Sequence, residues 1–542
     1  MNLLDQVNQK LFVAKTLAQA GVIRPTRPDK LPGIALALHR WGPTPAAGYT
    51  SGAIRAPHDT AIVDELGTLT FQEVHQRTNA LANELKKQGI GAGSRVAILC
   101  RNHRGFIEAT TACSKLGTDV LYLNTAFAAP QIADVIKREE PAAIVYDEEF
   151  AEMVADGAKQ LKQYIAWFEG PDKPEGIEIL EDLIARGDRS DHQPPAKSGK
   201  VIILTSGTTG TPKGANRKQP DNVDPTAALF DRIPLRSGET TMIAAPLFHT
   251  WGYAHMMFGL ILGSTFVLRR KFDPEAVLSD VAQHNCTALV VVPVMLQRTL
   301  ELGEETIKKY DTSSLRIIAA SGSALPGELA TRVMDAFGNV LYNLYGSTEV
   351  AWASIATPQD LRAAPGTAGK PPRGTVLKIL DPDGKELPQG ETGRIFVGNE
   401  LQFEGYTGGG HKDFVDGLMS SGDVGHIDEG GRLFIDGRDD DMIVSGGENV
   451  FPREVEDLLA DHECIEEAAV IGVDDEKFGQ RLKAFVVVRE GKELSEDEVK
   501  QLVKSNLAGY KVPREVVFLD ELPRNATGKV LKKDLREEKQ EA

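Results

Sequence analysis

Short runs of strand-forming apolar residues recur along most of this chain, separated by stretches with helical spacing. They include "SRVAILC" (94–100), "AAIVYD" (142–147), "VIILTS" (201–206), "TTMIAAPLF" (240–248), "ALVVVPVML" (288–296), "LRIIAAS" (315–321) and "VLYNLYG" (340–346). Runs this apolar are buried on both faces, as the strands of a parallel sheet covered by helices must be. Between 80 and 117, "ALANELKKQGIGAGSRVAILC" followed by "GFIEATTACSKLG" reads as helix, glycine turn, strand and helix, so an α/β layered fold is expected. A chain of 542 residues is too long for one core and should divide into three or four compact units. After about 375 the texture changes to short strands broken by "DPDGKE", "PQGETG" and "DEGGRL", which predicts a small antiparallel or barrel-like section.

A second break falls near Gly437 to Asp440. From 439 to 542 there are 26 Asp and Glu against 16 Lys and Arg, so this segment carries −10 of the chain's −17. Its pattern predicts a helix over 452–461, strands at "EEAAVIGV" and "LKAFVVV", a helix opened by the capping box Ser495-x-x-Glu498, and a strand at "EVVFL". That is a small α+β domain.

The net charge argues against nucleic acid or an anionic membrane as the main partner, because both need a broad basic surface. The start, "MNLLDQVNQKLFVAK", carries Asp5 early and has no long apolar core, so no secretory signal is expected. The longest greasy stretch, "MMFGLILGSTFVL" (256–268), is too short to span a bilayer and reads as a core helix running into a strand. Cys100, Cys113, Cys286 and Cys464 show neither metal spacing nor pairing logic and read as reduced, mostly buried thiols of a cytoplasmic protein. Peripheral membrane contact and a homodimer both remain open.

One loop stands out. "TSGTTGTPKG" (205–214) ends an apolar run and is made of glycines, hydroxyls and one lysine, a composition suited to cradling an anion with backbone N–H groups. It is not the P-loop of nucleotide triphosphatases, because Pro212 precedes Lys213 and Gly214 follows it. Six further segments of small residues with one or two polar groups follow in order: "APLFHTWG" (245–252), "SGSALP" (321–326), "NLYGSTE" (343–349), "MSSGDVG" (419–425), "GRDDDMIVSGGENVFPREVE" (437–456) and "PRNATGKV" (523–530).

This ordered series, covering roughly residues 60 to 535, resembles the adenylate-forming superfamily of acyl-CoA synthetases, peptide-synthetase adenylation domains and beetle luciferases. The resemblance implies a large N-terminal domain of two α/β subdomains plus a small β-barrel, and a smaller mobile α+β C-terminal domain. The expected boundaries are an N-terminal arm at 1–50, the large domain at 51–437 and the small one at 438–542. It also implies a two-step reaction in which a carboxylic acid and ATP give an acyl-adenylate and pyrophosphate, and coenzyme A then displaces AMP. Charge develops on oxygen in both steps, so Mg²⁺, cations and hydroxyl or amide donors are needed rather than a protein nucleophile.

By the same resemblance, Thr205, Ser206, Gly207, Thr208, Thr209, Gly210 and Lys213 wrap the β and γ phosphates. Ser321, Gly322, Ser323, Asn343 and Gly346 belong to the nucleotide site, where Tyr345 stacks on adenine. Thr348 contacts the α phosphate, and Glu349, with Thr205, helps hold Mg²⁺. Asp423 accepts both ribose hydroxyls, and Arg438 makes a second ribose or phosphate contact. His249 stands beside the acyl carboxylate, and Lys529 bridges that carboxylate and the α phosphate. Asp440 is the hinge of the small domain. Ser445, Gly446 and Gly447 line a channel for the pantetheine arm, with Phe478, Tyr510, Lys511 and Arg514 near the CoA nucleotide. Trp251, Gly252, Tyr253 and Leu344 contribute to the acyl pocket.

Three stretches depart from the family pattern: the phosphate loop runs into the polar "ANRKQPDN", "MSSGDVGHIDEGGRLFIDGRDDDM" (419–442) replaces the common wording while keeping Asp423 and Arg438 at their places, and the first 50 residues carry no motif. The wording around 105–145 and 240–300 is similar to bacterial fatty-acid CoA ligases, so a medium- or long-chain fatty acid is the expected substrate. An aryl acid, or a carrier protein's phosphopantetheine in place of CoA, is the alternative.

Overall fold

The computed structural model describes residues 3–537 except 24–25, 172–173, 206–212, 218–221, 402, 407–411, 440, 442, 446–447, 451, 476–478, 508 and 526–527. The chain forms two compact units, one of Met1–Ala320 with Leu401–His411, the other of Ser321–Glu400 with Lys412–Ala542.

The first unit is built on parallel sheets. In one sheet Val201–Thr205, Asp119–Tyr122, Arg95–Leu99, Ala143–Asp147, Lys162–Trp167 and Glu178–Ile179 lie side by side, and Lys213–Arg217 and Phe403–Tyr406 add antiparallel strands beyond Val201–Thr205. In another, Ile317–Ala320, Ala288–Val291, Thr240–Ile243, Thr265–Leu268 and Thr60–Asp64 run parallel, with Gly67–Thr70 returning antiparallel. Each of the six apolar runs read from the sequence between 94 and 321 contains a strand, although "TTMIAAPLF" is strand only to Ile243 and "ALVVVPVML" only to Val291, where Pro293 opens the helix Pro293–Glu301. The greasy stretch at 256–268 is a helix, Thr250–Leu262, followed by the strand Thr265–Leu268. Parallel strands need helical crossovers, and the local sequence supplies them with stops and starts. Thr70 and Glu73 close a capping box on Phe71–Lys87, and Gly117 takes φ +69° to end Arg104–Leu116. His103 caps that second helix by accepting from the Gly105 N–H (3.0 Å) through Nδ1, while Nε2 faces Asp147 Oδ1 at 2.8 Å.

The residues before 56 form three helices, α1 (Leu3–Gln19), α2 (Leu31–Trp41) and α3 (Pro45–Arg55). They pack on the first unit: Gln9 donates to Asp224 Oδ2 (2.9 Å), and Ile34, Ala37 and Trp41 turn inward.

In the second unit Leu341–Ser347 and Ala351–Ala356 form a hairpin. A five-stranded antiparallel sheet follows, made of Val376–Leu380, Gly393–Gly398, Phe414–Val415, Leu418–Ile427 and Leu433–Arg438, where the turn-rich texture predicted antiparallel pairing. The last hundred residues make a second five-stranded sheet with helices Pro452–Ala460 and Glu496–Asn506. Ser495 and Glu498 form the expected capping box. The core here is Ile443, Val455, Ile465, Leu482, Val486 and Val499, with both helices contributing from one face.

Candidate active site

The motif residues of the second unit converge on one carboxylate. Strands Leu418–Ile427 and Leu433–Arg438 pair with Asp423 directly opposite Arg438, so both side chains leave the same face. Arg438 Nη1 lies 3.4 Å from Asp423 Oδ1. On the other carboxylate oxygen, the Tyr345 hydroxyl donates to Asp423 Oδ2 at 2.5 Å. Ser421 Oγ accepts from the Asp423 N–H (3.1 Å) within the strand Leu418–Ile427 and holds the backbone that presents it. Gly422 precedes it at φ +83°, and a Cβ there would lie 3.1 Å from the Lys412 ammonium. Burial raises the Asp423 carboxyl above the usual aspartate range, and the charges of Arg438, Lys529 and Lys412 with the Tyr345 hydrogen bond oppose that rise. The Tyr345 hydroxyl is itself pushed up, first by burial and then by Asp423.

Local backbone strain sets Tyr345. The hairpin slips register between Tyr345 and Gly346, a bulge that re-aims the side chain. Any Cβ on Gly346 would stand 1.9 Å from the Ala351 carbonyl oxygen, and Ala351 itself sits at φ +61°. The turn between them carries Thr348 and Glu349, both half-buried. Ser347 Oγ accepts from the Glu349 and Val350 N–H groups at 3.2 Å each, and Asn399 donates to the Val350 and Trp352 carbonyls. Ser321 Oγ donates to Leu344 O (2.8 Å), tying the "SGS" turn, where Gly322 has φ +99° and Ser323 is half-buried, to this strand. Asn343 is buried, and its Oδ1 has no hydrogen-bond partner among the described residues.

Lys529 sits at the close of a turn in which its N–H donates to Asn525 Oδ1 (2.9 Å) and Gly528 takes φ +77°. Its side chain is exposed, and its charge is among those that act on Asp423. Nearby in sequence, Lys511 is held by Glu454 Oε2 at 2.5 Å, and the exposed Arg514 donates its backbone N–H to Leu482 O.

In the first unit, His249 stands at the N-terminus of the helix Thr250–Leu262. Burial lowers its imidazole to about 4, and Nε2 has no partner among the described residues. Trp251 is buried and donates to Ala319 O (3.3 Å), while a Cβ on Gly252 would meet Pro246 O at 2.3 Å. Tyr253 packs its ring against Tyr122 at 5.5 Å, and burial pushes its hydroxyl upward.

Three positioning groups escaped the sequence reading. Asn102 donates to the Ile243 and Ala245 carbonyls and accepts from the Leu247 N–H, holding the segment that leads to His249. His255, one turn after Trp251, packs edge-on against it at 4.1 Å, with Nδ1 near Trp251 O and Nε2 without a partner among the described residues. Asn399 is the third. The signal for each was a polar residue inside or just after an apolar run.

Ser206, Gly207, Thr208, Thr209, Gly210, Asp440, Gly446, Gly447 and Phe478 lie outside the described residues. Thr205 and Lys213 fall on the strands Val201–Thr205 and Lys213–Arg217, Ser445 ends the strand Ile443–Ser445, and Tyr510 is in the short turn Gly509–Lys511.

Residues 51–407 match the profile of the AMP-binding enzyme family, and residues 454–529 match the AMP-binding enzyme C-terminal domain. The chain is 34% identical to a feruloyl-CoA synthase of Amycolatopsis sp, over 89% of this chain and 96% of that one. It is 34% identical to an indoleacetate–CoA ligase of Aromatoleum aromaticum, over 89% and 95%. The o-succinylbenzoate CoA synthetase of Bacillus subtilis, solved in complex with its acyl-adenylate intermediate, superposes with a TM-score of 0.79 at 27% identity, covering 90% of this chain and 97% of that chain. The chain belongs to the AMP-binding enzyme family and is an acid–thiol ligase of the AMP-forming acyl-CoA synthetase class.

Proposed function

We propose that this enzyme condenses ATP with an apolar carboxylic acid to an acyl-adenylate and then transfers the acyl group to coenzyme A. In the first step an acid oxygen bonds to the α phosphorus and the bond to pyrophosphate breaks. In the second a CoA sulfur bonds to the acyl carbon and AMP leaves.

The observation that carries this reading is the Asp423 carboxylate, faced by Tyr345 and Arg438 and acted on by the charge of Lys529. A two-oxygen acceptor with an adjacent ring and cations suits a ribose between a base and a phosphate. Asn343 Oδ1, buried without a partner among the described residues, suits the exocyclic amine of adenine. Glu349 supplies the hard carboxylate oxygen that a Mg²⁺ ion takes, and such an ion would offset the charge of the phosphates. Lys529 then follows charge from the acid's carboxylate to the α phosphate as a mobile point donor. The phosphate-loop, CoA and hinge assignments, with a boundary near 438, complete this reading.

For the acid, a medium- or long-chain fatty acid is the first reading, supported by the apolar and small character of Trp251, Gly252, Tyr253 and Leu344. His255 favours a second. Its Nδ1 lies 3.2 Å from the Trp251 carbonyl and so carries the proton of the neutral ring. That leaves the buried Nε2, without a partner among the described residues, as an acceptor that gains from the hydroxyl of a hydroxyaryl acid and gains nothing from a plain alkyl chain. The test is AMP release with CoA present, across straight-chain and aryl acids. Turnover of long straight chains alone supports the first reading, turnover of aryl acids alone the second, and acid-independent AMP release would overturn both.

A further inference from the structure

Six of the twelve large hydrophobic side chains exposed among the described residues lie between positions 7 and 38. They stand on α1, on α2 and at the turn between them: Val7, Leu11, Ile23, Leu31, Leu36 and Leu38. Neither helix lacks a core face. In α1, Thr16 is buried and Gln9 is tied to Asp224, while α2 turns Ile34, Ala37 and Trp41 inward. On α1 the exposed residues make a second apolar stripe on the side away from the core, and on α2 they make one about a quarter turn from the core face. On α1 it runs Val7, Leu11, Ala14 and Ala18, and on α2 Leu31, Ala35 and Leu38, both at one-face helical spacing. Leu11 is 67% exposed and Leu38 48%, so the stripe is not edge packing.

Charge says what covers it. Residues 1–58 carry seven Lys and Arg against Asp5 and Asp29, a net of +5, whereas residues 59–542 carry −22. At 100° per residue, Lys10 and Lys15 fall on either side of the Val7–Leu11–Ala14–Ala18 stripe, and both are exposed. Asp5 falls on the opposite side of the helix. An apolar stripe bordered by lysines is how a helix lies in a lipid headgroup layer, with alkyl groups below the phosphates and ammonium groups among them. The overall −17 conceals this, because net charge averages a local basic arm into an acidic body.

We propose that α1 and α2 dock the enzyme on an anionic membrane surface. A second copy of the chain is the weaker occupant, since two faces of net positive charge repel. The family profile begins at residue 51, so the docking face lies in sequence outside the matched catalytic region, and the proposal does not depend on which acid is activated.

The test is flotation of the full-length enzyme with vesicles of phosphatidylcholine alone or mixed with phosphatidylglycerol. Two double variants are compared, Leu11→Gln/Leu38→Gln and Lys10→Glu/Lys15→Glu, with AMP release in vesicle-free buffer checking that each is folded and active. The wild type should float with the mixed vesicles and much less with phosphatidylcholine alone. Binding should weaken by about tenfold or more in each variant and be lost at about 1 M salt, while vesicle-free activity is unchanged. Absence of flotation with anionic vesicles, or equal flotation of wild type and both variants, would overturn the proposal. So would a wild-type dimer in light scattering that Leu11→Gln/Leu38→Gln dissolves without any vesicle binding.

Discussion

The hydroxyl of Tyr345 donates to Asp423 across 78 residues of sequence, at 2.5 Å, on the oxygen opposite the one that faces Arg438. The carboxylate is held above its ordinary pKa by burial, and this hydrogen bond is one of the contacts that pull it down. Tyr345→Phe keeps the ring and removes the donor, so Asp423 should titrate higher still. The expected outcome is an acid limb of kcat/KM for ATP shifted to higher pH, with the alkaline side little changed. A pH–rate profile of the variant against wild type checks it.

Because its folded pKa is raised, ionised Asp423 is a cost to the ligand-free fold. Its contribution to stability is present below the ordinary aspartate pKa and is lost as pH rises through the raised value. Asp423→Asn should therefore leave the denaturant midpoint at pH 7 unchanged or higher while lowering kcat/KM for ATP by about 10- to 100-fold, the worth of hydrogen bonds to a charged acceptor. A parallel fall in stability and activity would mean that Asp423 is a structural residue.

Lys529→Ala should abolish acid-dependent pyrophosphate exchange, a loss on the order of 10²-fold or more. The same variant should still convert supplied acyl-adenylate and CoA to thioester. The two half-reactions measured side by side separate a step-specific lysine from a general one. The complementary change, Asp440→Pro, fixes φ at the proposed hinge and should spare exchange while impairing thioester formation.

His249 and His255 are both lowered to about 4 by burial, so each folds as the neutral ring. A depressed histidine contributes stability that is present above its unfolded pKa of about 6.5 and lost as pH falls toward the folded value. Between about pH 6 and 4 stability should decline by up to about 1.4 kcal/mol per pH unit for each ring. Urea midpoints across that window, with His255→Phe giving a shallower slope than wild type, provide the measurement.

Gly346→Ala would drive a methyl group toward the Ala351 carbonyl, where the backbone is already at φ +61°. The hairpin must open, at a cost of about 2 kcal/mol or more, and the turn carrying Thr348 and Glu349 moves with it. Loss of both denaturant stability and pyrophosphate exchange is expected. Ser323→Ala, on a half-buried side chain, is the matched control with little effect on stability.

Much of this molecule was legible from residue order alone. Strand runs such as "SRVAILC" and "VIILTS" became strands, and "SEDE" became a capping box, because hydrophobic periodicity and capping are decided within a few residues. The ordered motifs pointed to adenylate chemistry for a related reason: a turn that must approach a phosphate needs glycines and hydroxyls locally. What only the tertiary structure decided is which groups share a field. Asp423 titrates as it does because Tyr345, Arg438 and Lys529 are gathered round it from distant segments, and no spacing in the sequence encodes that sum. The roles of Asn102 and Asn399 were hidden for the same reason, since their partners are carbonyls of other strands. The N-terminal arm shows the converse: its basic charge was in the sequence throughout, but only burial separated the face of α1 turned to the core from the face left to water.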